Sequence, residues 1–145
     1  MIDKIHYPVD KSRVFVYGAN EKGIHGRGAA KFAVEHFGAQ IGKVGYVGNS
    51  YGIPTKSDPY TSLPLHMVQY YVDNFLIFAD AHSNELGDDY LRFQLTPIGC
   101  GLAGFKVKQI APMFDSSVPV NVDLPNEFKD FLNKEYYDRK SINKN

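Results

Sequence analysis

The sequence predicts an α/β fold in which a mostly parallel sheet is covered by helices on both faces. Two observations carry that reading. Strand-like and helix-like stretches alternate along the chain, the pattern of parallel strands joined by crossover helices. Two glycine-rich segments, Gly18-Ala19-Asn20 running on to Gly23-Ile24-His25-Gly26-Arg27-Gly28, and Ile98-Gly99-Cys100-Gly101-Leu102-Ala103-Gly104-Phe105, each follow a strand-like run and open a helix-like one. Ligands of such sheets bind outside the carboxyl ends of the strands, and both segments are expected there.

Val14-Phe15-Val16-Tyr17 is β-branched and aromatic and ends at Gly18, so it predicts a buried strand feeding the first loop. From Gly28 through Phe37 the period changes: Ala29, Ala30, Phe32, Ala33 and Phe37 form an apolar face opposite Lys31, Glu35 and His36, with Gly38 as the C-terminal cap of a helix. A glycine-laden stretch, Gly42 to Gly48, precedes Ser50 to Thr55, where Pro54 predicts a strand terminus because proline cannot donate to a ladder. Lys56 is then at a strand end.

Thr61 or Ser62 can cap a helix whose apolar stripe is Leu65, Val68, Val72, Phe75 and Ala79. After the polar connection Asn84 to Asp89, alternation over Tyr90 to Thr96 predicts a strand that Pro97 ends. The second loop leads into a short helix through Val107, Ile110, Ala111 and Phe114. A strand over Val118 to Val122 and a last helix from Pro125, carried by Phe128, Phe131, Leu132 and Tyr136, complete the chain. The 145 residues read as one domain, with 138–145 a frayed polar tail.

Sixteen basic and sixteen acidic residues cancel, which argues against a general grip on nucleic acid. The single Cys100 excludes an internal disulfide and cannot by itself supply a structural zinc site; His6, His36, His66 and His82 show no metal-ligand spacing. No metal and no cofactor is implied. Met1 to Pro8 lacks the apolar core of a signal peptide, and no run of about 18 apolar residues occurs, so the expectation is a cytoplasmic protein with no membrane partner.

Each glycine loop would aim backbone N–H groups at an anion, and two suggest a diphosphate held from both sides. Neither ends in Gly-Lys-Ser/Thr, so the mononucleotide P-loop is absent. Gly99-x-Gly101-x-x-Gly104 matches the dinucleotide fingerprint formally, with Asp123 after the next strand. Only 41 residues follow Gly104, too few for the rest of that half and a substrate domain. The competing reading is that the glycines only make tight turns.

Asn20-x-x-Gly23-x-x-Gly26-Arg27-Gly28-Ala29-Ala30, Pro54-Thr55-Lys56 and Ile98-Gly99-Cys100-Gly101-Leu102 together resemble the macrodomains. The nearest resemblance is to the branch with terminal ADP-ribose protein glycohydrolase and the antitoxin macrodomains that remove ADP-ribose from DNA. It implies a three-layer α/β/α fold, and as partner ADP-ribose or an ADP-ribosylated macromolecule, with ADP-ribosylated DNA among the candidate substrates. Asn20 would hydrogen-bond the distal ribose, the backbone from Gly23 to Gly28 would wrap ribose and diphosphate, and Gly99 to Phe105 would close from the other side. Lys56 matches the lysine thought to attack the anomeric carbon. A lysine serves as nucleophile when its environment favours the neutral amine, and ring opening exposes an aldehyde-equivalent carbon that an amine can capture.

Two departures qualify the resemblance. The N-terminal Gly-Asp-Ile-Thr segment of many macrodomains is not visible, which leaves the adenine-binding acid unassigned. Ala103 stands about where the protein glycohydrolase carries an acid, and alanine moves no proton; the DNA-directed antitoxins have a small residue there. Asp58 is a possible substitute, although Asp58-Pro59 is equally a turn initiator. His25 and Arg27 can meet a phosphate or face elsewhere, Cys100 reads as a small buried residue, and Tyr51 and Phe105 can stack on a ligand or belong to the core. Three functions stay open: a hydrolase releasing ADP-ribose through Lys56, a module that binds ADP-ribose without turnover, and a phosphatase acting on ADP-ribose 1″-phosphate.

Overall fold

A computed structural model of the chain describes residues 7, 9–115 and 118–142, the side chains of 136–142 excepted. The readings of residues 1–6 and 8, including His6, of the Tyr136 side chain and of 143–145 lie outside the described residues.

Strand β1 (Val14–Asn20) runs three residues past Tyr17. Its side chains alternate between two cores: Val14 and Val16 pack with Ile53, Phe75, Phe93 and Phe128, whereas Phe15, Tyr17 and Ala19 pack with Ala30, Ala33 and Phe37. A strand buried on both faces reads as an unbroken apolar run. Helix α1 (Gly28–His36) buries Ala30 and Ala33 and stops where Gly38 takes φ +76°, the left-handed cap expected of it.

The glycine-laden stretch contains a strand that its composition hides, β2 (Gly45–Val47), antiparallel to β3 (Ser50–Asp58). Pro54 does not end β3. It pairs with Ala19, and the register then slips so that Asn20 faces Lys56, with Thr55 the additional residue. A bulge accommodates the donor that proline lacks. Thr61 and Ser62 form β4 (Thr61–Ser62) on β3 rather than a helix cap. Helix α2 (Leu65–Ala81) starts after Pro64 without a side-chain cap; Val68, Val72, Phe75, Leu76 and Ala79 are its buried stripe.

Strand β5 (Phe93–Leu95) is shorter than the alternation over Tyr90 to Thr96, and all three residues are buried because it lies between β1 and β6. The helix after the second loop divides into α3 (Val107–Ile110) and a 3-10 turn (Ala111–Phe114) with Pro112 near its start. The last strand, β6 (Val122–Asp123), begins where the expected one ends: Pro119 lacks a donor and its carbonyl accepts Val122 N in a turn, leaving Val120 86% exposed. Helix α4 (Asn126–Ile142) begins after Pro125 and continues past Asp138, so the expected fraying there is replaced by helix up to Ile142.

The sheet order is β2-β3-β1-β5-β6, with β4 on β3; β3, β1, β5 and β6 are mutually parallel. The fold is therefore mixed α/β with a mostly parallel sheet. The chain passes from β1 to β3 on one side and then to β5 on the other, so the carboxyl ends of β1 and β5 flank a topological switch point, where α/β sheets bind ligands.

Candidate functional site

Three connections meet at the carboxyl edge of β3, β1 and β5: the first loop after Asn20, the turn after Asp58, and the second loop after Leu95. The second loop starts beside β1: a Cβ on Gly18 would stand in ordinary contact, 3.4 Å, with Gly99 N. It then reaches both flanks. Leu102 Cδ1 approaches within 3.8 Å of where a Gly28 Cβ would lie, and Ser62 Oγ donates to Ala103 O at 2.6 Å. Ser62 is the register partner of Lys56, which is the register partner of Asn20. The row Asn20, Lys56, Ser62 is thus tied at its far end to the second loop.

The first loop is held from inside. Asn20 is 6% exposed; its Nδ2 donates to Ile24 O (2.8 Å) and its Oδ1 accepts Ile24 N (3.1 Å), so the amide expected to meet a ribose is engaged in shaping the loop. Gly23, at φ +70°, lies so close to the backbone of Gly42 and Lys43 that a Cβ would be 2.6 Å from both. His25 is a buried staple. Its Nε2 lies 2.9 Å from Lys43 O and 3.4 Å from the Tyr17 hydroxyl, while Nδ1 has no partner among the described residues. Arg27 is exposed at the start of α1 and makes no capping bond. Gly26 borders open space.

In the second loop, Cys100 N, Gly104 N and Phe105 N donate to Pro97 O, Gly101 O and Gly99 O. The amides of Gly101, Leu102 and Ala103 find no acceptor among the described residues, nor do those of Gly26 and Arg27 in the first loop. These N–H groups lie on exposed or half-buried loop residues and are free to meet water or an anion. Phe105 packs on Gly99, with Cδ2 3.2 Å from a hypothetical Cβ, and its ring belongs to the core, as does Tyr51 against Phe75. Burial, and secondarily the Glu127 charge, push the Cys100 thiol upward, which disfavours a reactive thiolate.

Lys56 is half-buried, and its Nζ donates to Pro59 O at 2.5 Å, folding the ammonium onto its own turn. Asp58 builds that turn by accepting Tyr60 N at 2.8 Å. This bond, with help from Thr61 and the nearby Lys22 charge, holds the Asp58 carboxyl below its ordinary value, so it is a turn anion and no proton donor near neutrality. Sequence reasoning missed Glu21. Its backbone N donates to Lys56 O at 2.9 Å, and its carboxylate accepts the Tyr71 hydroxyl from α2. Its place beside Asn20 was the available signal; the bond to a residue fifty positions away was not readable.

No family model matches this chain, and no curated protein or solved structure matches it either. The site is therefore judged on its own geometry. Among the described residues no helix is long and apolar enough to cross a membrane.

Proposed function

We propose that this chain is a macrodomain-like ADP-ribose-binding protein that hydrolyses the link between ADP-ribose and a modified macromolecule, DNA or protein, with Lys56 as nucleophile. The observation that carries the reading is the second loop's reach from beside Gly18 to both Gly28 and Ser62, which brackets the Asn20 and Lys56 pair between two sets of unpaired amides. A diphosphate between the loops would take those N–H groups, and fixing it would place the distal ribose over the Asn20 and Lys56 row. Nζ would leave the Pro59 carbonyl, pass its proton to water and attack the anomeric carbon as the glycosidic bond to the carrier breaks; water would then hydrolyse the lysine adduct, releasing ADP-ribose and restoring the amine.

The test is incubation of wild type and Lys56→Ala with ADP-ribosylated DNA and, separately, ADP-ribosylated protein. Release by wild type and none by the variant supports the reading. Release from neither carrier at high enzyme concentration ends it.

Ala103 favours a second reading, binding without turnover. It offers the site only backbone, and Asp58, the substitute acid, is committed to its turn. Under that reading ADP-ribose binds and neither carrier is cleaved.

A further inference from the structure

The hairpin that joins β3 to β4 is anchored at its base and held lightly at its tip. Thr55 and Leu63 are buried, and Leu63 N donates to Thr55 O at 3.0 Å. Between them none of residues 57–62 is buried, and Tyr60 is 92% exposed, so little apolar surface secures the tip. Its shape rests on polar bonds: Lys56 Nζ to Pro59 O (2.5 Å), Tyr60 N to Asp58 Oδ1 (2.8 Å) and Ser57 Oγ to Thr61 O (3.3 Å). A segment with few buried contacts opens at a low free energy, so each of these bonds is a large share of what keeps it closed.

The same residues reach both glycine loops. Lys56 O accepts Glu21 N of the first loop at 2.9 Å, and Ser62 Oγ donates to Ala103 O of the second at 2.6 Å. Lys56 and Ser62 are cross-strand partners, so the ammonium that closes the tip and the hydroxyl that holds the second loop start from one rung of the β3–β4 ladder. A displacement of Pro59 is passed through Tyr60 and Thr61 to Ser62. An ammonium that donates to a carbonyl also has no lone pair with which to form a bond, so Lys56 is parked in this arrangement.

We propose that residues 57–62 form a strap that parks Lys56 and couples it to the second loop: drawing Nζ off Pro59 loosens the tie from Ser62 to Ala103, and breaking that tie frees Nζ. Coupling of this kind is reciprocal. A molecule that engages Lys56 alone therefore loosens the second loop, whereas one that also meets the amides of Gly101 to Ala103 holds it in place. The inference takes from the proposed function the role of Lys56 as nucleophile, but its test needs no nucleotide.

Lys56→Met and Ser62→Ala each remove one tie, and neither residue belongs to the buried core. Amide hydrogen exchange is followed in wild type and both variants. Access to Lys56 is read in wild type and Ser62→Ala by trace acetylation with the N-hydroxysuccinimide ester of acetic acid, resolved by residue in mass spectrometry. In Lys56→Met, exchange should quicken about threefold or more at Tyr60 and at Gly104, whose N–H bonds Gly101 O in the second loop. In Ser62→Ala the same amides should quicken and Lys56 acetylation should rise by a similar factor, with β1 amides and the exposed Lys31 and Lys108 unchanged. Gly104 exchange in Lys56→Met that equals wild type, or Lys56 acetylation in Ser62→Ala that equals wild type, overturns the coupling. Equal quickening throughout β1 assigns the effect to the whole fold and overturns it too. ADP-ribose added to wild type then tests the other reading separately: coupling present, with Gly104 and Lys56 indifferent to ADP-ribose, leaves the strap standing and ends the ADP-ribose proposal.

Discussion

Lys56 faces Asn20 across the parallel β1–β3 pair at the point where their register slips by one residue. The slip follows from Pro54, and it brings to one place a lysine whose ammonium bonds its own turn and an asparagine whose amide bonds its own loop. Both side chains are held by local partners, which fixes the two ends of the candidate site before any ligand arrives.

Asn20→Ala removes both bonds to Ile24 and leaves a part-buried N–H and C=O unpaired. We expect a loss of about 1–3 kcal/mol in urea unfolding, with faster hydrogen exchange at Gly23 and Ile24. An unchanged midpoint and unchanged exchange would mean that the amide does not shape the loop.

Gly23→Ala meets the backbone of Gly42 and Lys43 at 2.6 Å and adopts a φ of +70°. Strain and overpacking together predict destabilisation of about 2–4 kcal/mol. Gly26→Ala, which meets open space at an ordinary φ, serves as control and should unfold within about 0.5 kcal/mol of wild type apart from its propensity effect.

The strand at Val14 to Tyr17 was legible as an unbroken apolar run because both its faces are buried, and the stripe from Leu65 to Ala79 because it reports one buried face. β2 and β4 were not, since three and two residues carry no periodicity and their pairing depends on β3. Pro54 misled for a related reason: its missing donor is absorbed by a bulge whose partner strand lies more than thirty residues away. At the site, chain order alone placed both loops on the carboxyl side of the sheet, whereas Lys56, expected at a strand end, lies inside β3, which runs on to Asp58. What their side chains touch, Asn20 on Ile24, Lys56 on Pro59, Ser62 on Ala103 and Tyr71 on Glu21, depends on loop conformation and long-range packing, which no local pattern encodes.

Alkaline pH should weaken the fold. The Glu21 bond pushes the Tyr71 phenol up to about 12, and burial pushes Tyr17 to about 12, from the ordinary value of 10. Folding thus favours the protonated phenols: their contribution is whole below pH 10 and is lost as pH rises through about 12. Melting temperature followed from pH 8 to 12 should fall in that window, and Tyr71→Phe should make the fall shallower while Tyr17 still contributes. An identical pH slope in the variant would show that the Tyr71–Glu21 bond is not formed.

Lys56→Ala separates nucleophile from counter-ion. If Nζ attacks the anomeric carbon, release of ADP-ribose falls roughly a thousandfold or more while ADP-ribose affinity changes far less. Parallel losses in affinity and turnover would assign Lys56 to holding the diphosphate.

In the proposed function the two glycine loops form one diphosphate cradle around the Asn20 and Lys56 pair. Titration of ADP-ribose into the isotope-labelled protein tests it most directly. Saturable one-to-one binding is expected, with the largest amide shifts at Gly26, Arg27 and Gly101 to Ala103 and smaller ones at Lys56. Binding that moves only one loop, or no binding at millimolar ADP-ribose, would contradict it.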